Sequence, residues 1–164
     1  MDTIPHWVLY AVVFMTMNLL IVPGIFLRVS WFASRLYSNA IPVKQVFIDY
    51  AYTLVPLGLA AWMAFSLGFV LINGSYALRV LSDPFGWGWN LFGTTVLHWS
   101  PIFPNLIPFL QVGILIIGLL FAVNTAFEIA QQHTPSVQIA FRAMLPVVGF
   151  LLMVTLVFMG LYLW

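Results

Sequence analysis

The main pattern in this sequence is a set of four long apolar runs without charged side chains. The runs cover residues 7–27, 51–72, 105–127 and 143–164. Each is long enough for one helical crossing of a bilayer, which takes about 20 mainly apolar residues. None shows the alternation of apolar and polar positions that is typical of a membrane β-strand. The pattern therefore predicts an all-α integral membrane protein, a single domain built as a bundle of four transmembrane helices.

The composition agrees with this fold class and excludes several others. Apolar side chains make up 63% of the chain and charged ones 5%, against about 45–50% and 25% in ordinary globular proteins. Nine charged side chains cannot cover a soluble enzyme of this size, and no basic cluster is available to bind nucleic acid phosphates. The absence of Cys excludes disulfides, thiolate metal sites and iron–sulfur clusters ligated by this chain.

Basic residues in the short connections predict the orientation of the helices. Arg28, Arg35 and Lys44 lie in the first connection and Arg142 in the third, whereas the second contains only Arg79. Because basic residues are enriched in cytoplasmic loops, we expect the first and third connections in the cytoplasm and both termini in the periplasm of a bacterial inner membrane. The first run lacks the basic start and the small-residue cleavage pattern of a signal peptide, so we expect it to be retained.

Residues 78–104, here called the aromatic loop, contain many large rings between glycines and prolines. We expect this loop to lie in the outer membrane interface, with a short helix over 89–97. One interpretation is an aromatic belt that sets membrane depth. The other is a docking platform for an extrinsic outer subunit, because Trp and Tyr dominate interface anchors. The candidate docking residues are Trp87, Trp89, Phe92 and Trp99.

The second run contains small residues at helical spacing: Gly58, Ala61, Ala64 and Gly68. Small residues let another helix approach closely in a membrane. The approaching helix could belong to this chain's own bundle or to another membrane subunit.

Few ionisable groups are available for chemistry. Asp49, Glu128, His133 and Arg142 lie near the predicted cytoplasmic ends of the helices and could gather into one cluster. Charges at helix ends commonly snorkel to the interface or pair there. Alternatively, Asp49 or Glu128, with Arg142 nearby, could exchange protons with a quinone head group.

Two histidines share the predicted outer side, His6 before the first helix and His98 in the aromatic loop. They are the candidates for a haem or metal site, although a haem inside a bundle usually takes histidines from within facing helices. We expect no metal and no cofactor bound by this chain alone, and a quinone or lipid only at a subunit interface. The sequence contains no Ser–His–Asp arrangement, no phosphate-binding glycine loop and no HExxH motif.

Three stretches from Asp49 onward carry a resemblance. They read DYAYTLVPLGLAAWMAFSLGFVLING at 49–74, VLSDPFGWGWNLFGT at 80–94 and PFLQVGILIIGLLFAV at 108–123. They are similar to the membrane part of bacterial polyferredoxin-like 4Fe-4S membrane proteins, the group that includes the membrane regulators of nitrous-oxide reductase. The similarity covers about two-thirds of the chain, and SDPFGWGWNLFGT at 82–94 is its most distinctive piece.

This chain departs from that group in its ligands. The related proteins carry cysteine-rich ferredoxin modules, whereas this chain has no Cys. Some relatives have histidines in the helix that corresponds to the second run, and here Phe65 and Phe69 stand where such a pair would sit. The resemblance therefore implies a membrane scaffold whose redox centres are supplied by partner chains.

The leading functional hypothesis is an anchor subunit of a respiratory or other electron-transfer complex. Because the chain is poor in ionisable groups, we expect it to be non-catalytic or at most quinone-adjacent. Its partners would be membrane lipids, other integral membrane subunits and extrinsic iron–sulfur or haem proteins. One alternative is a small transporter or channel component, although the runs carry no charge near the membrane midplane. Another is a membrane assembly factor for a periplasmic metalloenzyme.

Overall fold

The computed structural model of this chain describes residues 6–37 and 41–163. The described part of the chain is helical, with no strand. Its elements are α1 (His6–Thr16), a π-helical turn (Met17–Ile21), α2 (Val22–Leu36), α3 (Val43–Ala51), α4 (Leu54–Ser82), α5 (Ile107–His133) and α6 (Val137–Leu163). Four helical stretches are long and apolar enough to cross a membrane: His6–Leu36, Val43–Ser82, Ile107–His133 and Val137–Leu163. The predicted all-α fold class with four membrane spans is confirmed.

The helices extend beyond the apolar runs that predict them. α4 continues to Ser82, past the end of the run at residue 72. It ends there because Pro84 disfavours the helical conformation for the preceding residue. α6 begins at Val137 and contains Pro146, whereas the run begins at residue 143. Hydropathy measures the apolar part of a span, whereas a helix ends where its backbone hydrogen bonding ends. The last residue of the fourth run, Trp164, lies outside the described residues.

The chain forms two compact units. The first combines the described residues of Met1–Val55 with Ala122–Met153. Here α2 packs against α3, and the Phe26 ring lies 5.3 Å from the Phe47 ring and 5.2 Å from the Phe150 ring. Small buried side chains bring the helices of this unit together, because helix packing in membranes depends on close approach. They are Ala33, Ala122, Ala126, Ala130, Ala140 and Ala143.

The second unit combines Pro56–Phe121 with the described residues of Val154–Trp164. Its centre is the small-residue face of α4, where Ala61, Ala64 and Gly68 are buried and Gly58 is exposed. α5 reaches this face through Gln111, whose Nε2 donates to the Ala64 carbonyl oxygen at 3.1 Å. Helices of this chain therefore occupy most of this small-residue stripe, and Gly58 remains uncovered.

α6 reaches the same face through Tyr162, whose hydroxyl donates to the Ala61 carbonyl oxygen at 3.0 Å. Leu115 is fully buried beside Ala61 and Ala64. Both hydrogen bonds end on carbonyls of an apolar helix, where a side-chain amide or hydroxyl without a partner would be costly. These bonds fix which faces of α5 and α6 meet α4.

Candidate functional site

Four polar residues of the first unit meet where three helices end or begin. We call Tyr37, Asp49, Tyr50 and His133 the polar cluster. Tyr37 directly follows α2, Asp49 and Tyr50 lie in α3, and His133 is the last residue of α5. The two tyrosine hydroxyls are 2.7 Å apart and share a buried hydrogen bond. The Tyr37 and His133 rings meet edge to face, with centroids 5.5 Å apart.

Asp49 and His133 form the second contact of the polar cluster. His133 Nε2 lies 2.9 Å from Asp49 Oδ2, with 12% of the histidine and 32% of the aspartate side chain exposed. The contact lacks the alignment of a hydrogen bond, and within the described part of the chain buried Nε2 has no other hydrogen-bond partner. The contact with Asp49 therefore rests on the closeness of the two groups and not on an aligned hydrogen bond.

The environment of Tyr37 opposes its ionisation. Burial removes water from the hydroxyl and raises the pKa of Tyr37, the hydrogen bond with Tyr50 lowers it, and the Asp49 carboxylate raises it again. The balance leaves the pKa above the ordinary tyrosine value, so Tyr37 stays neutral and hydrogen-bonded. The polar cluster thus holds the end of α2 to α3 and α5.

Glu128 and Arg142 do not join the polar cluster. Glu128 is exposed, and its Oε1 accepts a 2.8 Å hydrogen bond from Asn124 Nδ2. It precedes His133 by five residues, which on a helix turns it to a different face. Arg142 is also exposed and has no ion pair with any residue that the structure describes. Of the four predicted inner-face residues, the structure brings together Asp49 and His133.

The apolar groove on α3 does not include the polar cluster. This groove has a volume of about 350 Å³ and is lined by Phe47, Ile48, Ala51, Tyr52 and Val55. Asp49 lies within the same helix but is not part of the lining. A quinone ring in this groove would therefore meet apolar side chains and no carboxylate.

The two candidate histidines belong to different units. His6 is the first residue of α1 and His98 lies in the aromatic loop, and both are exposed. Within 6–37 and 41–163, no three His, Cys, Asp or Glu side chains are grouped so as to hold a metal ion.

Residues 78–82 of the predicted aromatic loop belong to α4, and the rest of the loop begins with a tight turn built by Asp83. Its carboxylate accepts hydrogen bonds from the backbone N–H groups of Trp87 at 2.9 Å and Gly88 at 2.8 Å. Gly86 and Gly88 have φ values of 68° and 80°, a backbone conformation that glycine adopts without strain. The turn therefore follows from an Asp-Pro start followed by two glycines.

Three rings of the turn contact one another. Trp87 stacks on Phe85 with centroids 4.9 Å apart, and its ring meets that of Trp89 edge to face at 5.1 Å. We call Phe85, Trp87 and Trp89 the ring cluster. Their exposed fractions are 64%, 68% and 42%. The three rings therefore contact one another and still leave much of their surface uncovered by the rest of the chain.

Ser82 organises the next part of the loop. Its Oγ accepts hydrogen bonds from the N–H groups of Phe92 at 2.9 Å and Thr94 at 3.4 Å, while the Phe92 ring remains 71% exposed. The expected short helix over 89–97 is replaced by turns. These N–H groups bond a side chain, which competes with helical bonding.

The last part of the loop runs back along α4. Trp99 Nε1 donates to the Ile72 carbonyl oxygen at 3.1 Å, and the Ser100 N–H donates to Ser75 Oγ at 3.0 Å. The Ile102 N–H donates to the Leu71 carbonyl oxygen at 2.9 Å. Trp99 is thus fixed to α4 through its indole nitrogen, unlike Trp87 and Trp89, whose rings contact other rings.

Sequence reasoning missed the residues that support both sites. Asp83 and Ser82 were detectable in principle, because Asp and Ser before a Pro-x-Gly segment commonly accept backbone hydrogen bonds in turns. Tyr37 and Tyr50 gave no comparable signal, since their pairing depends on how α2 and α3 pack.

Comparison of the chain with protein-family models, curated proteins and solved structures finds no match.

Proposed function

We propose that this chain is the membrane anchor subunit of a respiratory or other electron-transfer complex in the bacterial inner membrane. In this proposal its aromatic loop docks an extrinsic partner on the periplasmic side. The ring cluster of Phe85, Trp87 and Trp89 is the observation that carries this proposal. Both termini lie in the periplasm in this proposal, following the distribution of basic residues between the connections.

The geometry of the turn favours docking over a simple aromatic belt. A belt needs rings at the right depth but no fixed arrangement. The Asp83 carboxylate instead holds the N–H groups of Trp87 and Gly88, which fixes the backbone that carries the rings. A surface ordered before binding loses less conformational freedom when a partner binds. The turn thus supports a preformed contact surface.

The chemistry of the cluster also suits a protein partner. Exposed indole rings supply large apolar areas, and tryptophan is enriched among residues that dominate binding energy. Trp87 and Trp89 are the anchors we expect to contribute most, because their rings are exposed and not hydrogen-bonded to α4 as Trp99 is. Phe92, whose ring is also exposed and which follows the cluster by three residues in the chain, is a further candidate anchor.

The electron-transfer part of the proposal rests on the sequence resemblance. The segment SDPFGWGWNLFGT contains both Asp83 and the ring cluster. The related membrane proteins carry cysteine-rich cluster modules, and this chain contains no Cys. We therefore assign the redox centres to extrinsic iron–sulfur or haem subunits, and the anchoring role to this chain together with other membrane subunits and lipids.

A quinone-reacting role has less support than anchoring. Asp49 interacts with His133, and Glu128 accepts a hydrogen bond from Asn124. Arg142 lines a shallow exposed groove with Val137, Gln138 and Phe141. Neither Asp49 nor Glu128 belongs to the lining of this groove. A quinone or lipid at a subunit interface remains part of the proposal only as a bound neighbour.

The proposal is tested by changing Trp87 and Trp89 to Ala, singly and together, in cells that contain the native partners. Loss of a dominant anchor costs about 2 kcal/mol or more, which corresponds to a partner affinity about 30-fold weaker. The measurement is the amount of extrinsic protein retained when the chain is purified in mild detergent. A Val96→Cys reporter, labelled from outside by an impermeant reagent, checks that the loop is periplasmic.

Two further variants make the result specific. Trp62→Ala is the matched control, because Trp62 is also 68% exposed and its ring lies near a phenylalanine ring, but it is located in α4. Asp83→Ala keeps every ring and removes the acceptor that fixes the turn. Docking predicts that Asp83→Ala weakens retention and that Trp62→Ala does not. Full retention in the Trp87 and Trp89 double variant would leave the belt interpretation in place.

A further inference from the structure

The first membrane span is the least covered of the four spans that the structure describes. No residue of α1 or of the π-helical turn is buried. In the most apolar window of this span 0% of the residues are buried, compared with 28% in each of the other three spans. Lipid can cover apolar side chains, so their exposure does not by itself indicate a protein partner. Lipid cannot satisfy polar groups, so the polar groups of this span indicate whether a partner is needed.

The π-helical turn and the Asn18 side chain place polar groups in this apolar span, and we call Asn18 with its backbone carbonyl the polar notch. The Val22 N–H donates to the Met17 carbonyl oxygen, five residues back. The next donor at the same spacing would be residue 23, which is a proline without an N–H, so the Asn18 carbonyl loses this partner. The Asn18 side chain uses one Nδ2 hydrogen to bond the Phe14 carbonyl oxygen at 2.8 Å.

Asn18 keeps unused hydrogen-bonding capacity within a span that its length and hydropathy assign to the hydrocarbon region. Its amide has two donor hydrogens and an acceptor oxygen; the bond to Phe14 uses one donor, and the structure shows no other bond to the residues that it describes. Asn18 lies near the middle of the charge-free run at 7–27. Unsatisfied polar groups in the hydrocarbon region cost several kcal/mol each. A polar group from another helix would relieve this cost.

We propose that the first span pairs with the first span of a second copy of this chain, with Asn18 facing Asn18 across a two-fold axis. An amide is both donor and acceptor, so two copies satisfy each other with the same pair of groups. A two-fold interface requires this self-complementarity. The run at 7–27 contains no charge, so parallel alignment of identical helices brings no repulsion. This pairing is independent of partner docking at the aromatic loop.

The experiment uses the full chain, whose lack of Cys allows single-cysteine cross-linking without a background. Ala11 precedes Asn18 by seven residues and shares its helix face, whereas Leu9 precedes it by nine residues and lies on the opposite face. Oxidation in liposomes is expected to link two copies of the Ala11→Cys chain and to leave Leu9→Cys unlinked. Adding Asn18→Leu should remove the Ala11→Cys product.

The dissociation constant in detergent gives a second readout. Asn18→Leu is expected to raise it about tenfold, since interhelical polar bonds contribute on the order of 1–2 kcal/mol. Asn73→Leu is the matched control: the Nδ2 of Asn73 makes the same local bond, to the Phe69 carbonyl oxygen at 2.9 Å, within the regular helix α4. This control should dimerise like the unchanged chain.

Three results would overturn the proposal. A chain that stays monomeric at every protein-to-detergent ratio would exclude the pairing. Equal cross-linking at positions 9 and 11 would indicate random collision. Recovery of a different membrane protein that depends on Asn18, without a homodimer, would assign the polar notch to that protein.

Discussion

Replacing Gly118 with Ala tests how tightly α4 and α5 pack in the second unit. A Cβ atom at Gly118 would overlap the Ala60 methyl group and lie 3.3 Å from the Pro56 carbonyl oxygen. The Ala60 methyl carbon is bonded directly to the helix backbone, and the Pro56 oxygen is part of that backbone. Neither atom can rotate away. The helices must separate, and inserting a methyl group into a packed core costs about 1–3 kcal/mol. Alanine regains about 0.5–1 kcal/mol through its higher helix propensity. The expected net loss is about 0–2.5 kcal/mol relative to the unchanged chain, and about 1–3 kcal/mol relative to an alanine that gains the same propensity without an overlap.

The free energy of unfolding in mixed micelles of mild detergent and SDS measures this loss. Gly113→Ala is the matched control on the same helix, because no atom lies within 4 Å of a Cβ built there. It should leave stability unchanged or raise it. Ala60→Gly in the Gly118→Ala chain removes the overlapping methyl group, so the two substitutions should compensate in a double-mutant cycle. If Gly118→Ala were as stable as Gly113→Ala, the described contact between the helices would be wrong.

The polar cluster yields two more predictions. Asp49→Asn and His133→Gln should each destabilise the chain, with a coupling of about 0.5–1 kcal/mol in a double-mutant cycle, as expected for a partly exposed pair. A coupling of zero would mean that the contact at 2.9 Å contributes nothing. Burial raises the pKa of Tyr37 above its ordinary value of about 10. The neutral hydroxyl therefore contributes its full stabilisation below about pH 10. This contribution is lost as the pH rises through the raised pKa. The thermal midpoint should therefore fall above about pH 10, and less steeply in Tyr37→Phe. Equal slopes for the two chains would contradict the role of Tyr37.

The number and class of the spans could be predicted from the sequence because they depend on local composition. An apolar run of membrane length has one low-energy arrangement in lipid, a helix that satisfies its own backbone. The positions of Gly118 and Ala64 as small residues were equally visible. The ends of the spans were harder, since α4 continues for ten residues beyond its apolar run. Helix ends depend on prolines and hydrogen bonds more than on hydropathy.

Part of the candidate site also followed from the sequence. Trp87 and Trp89 stand out as aromatic residues beside glycines, whereas the role of Asp83 appears only when its carboxylate is seen to accept two backbone N–H groups. The glycines indicated that a turn is possible. The positions of the rings relative to one another depend on the side-chain bonds that close this turn.

The tertiary structure alone decided which polar groups meet. Asp49 pairs with His133, 84 residues away, while Glu128, five residues from His133, does not join them. Tyr37 and Tyr50 lie 13 residues apart and share a buried hydrogen bond. The apolar pattern determines that each helix crosses the membrane, but lipid surrounds all its faces equally. Which face turns toward a neighbour is set by the fit of small side chains and by a few buried hydrogen bonds, and these arise only when the helices are packed.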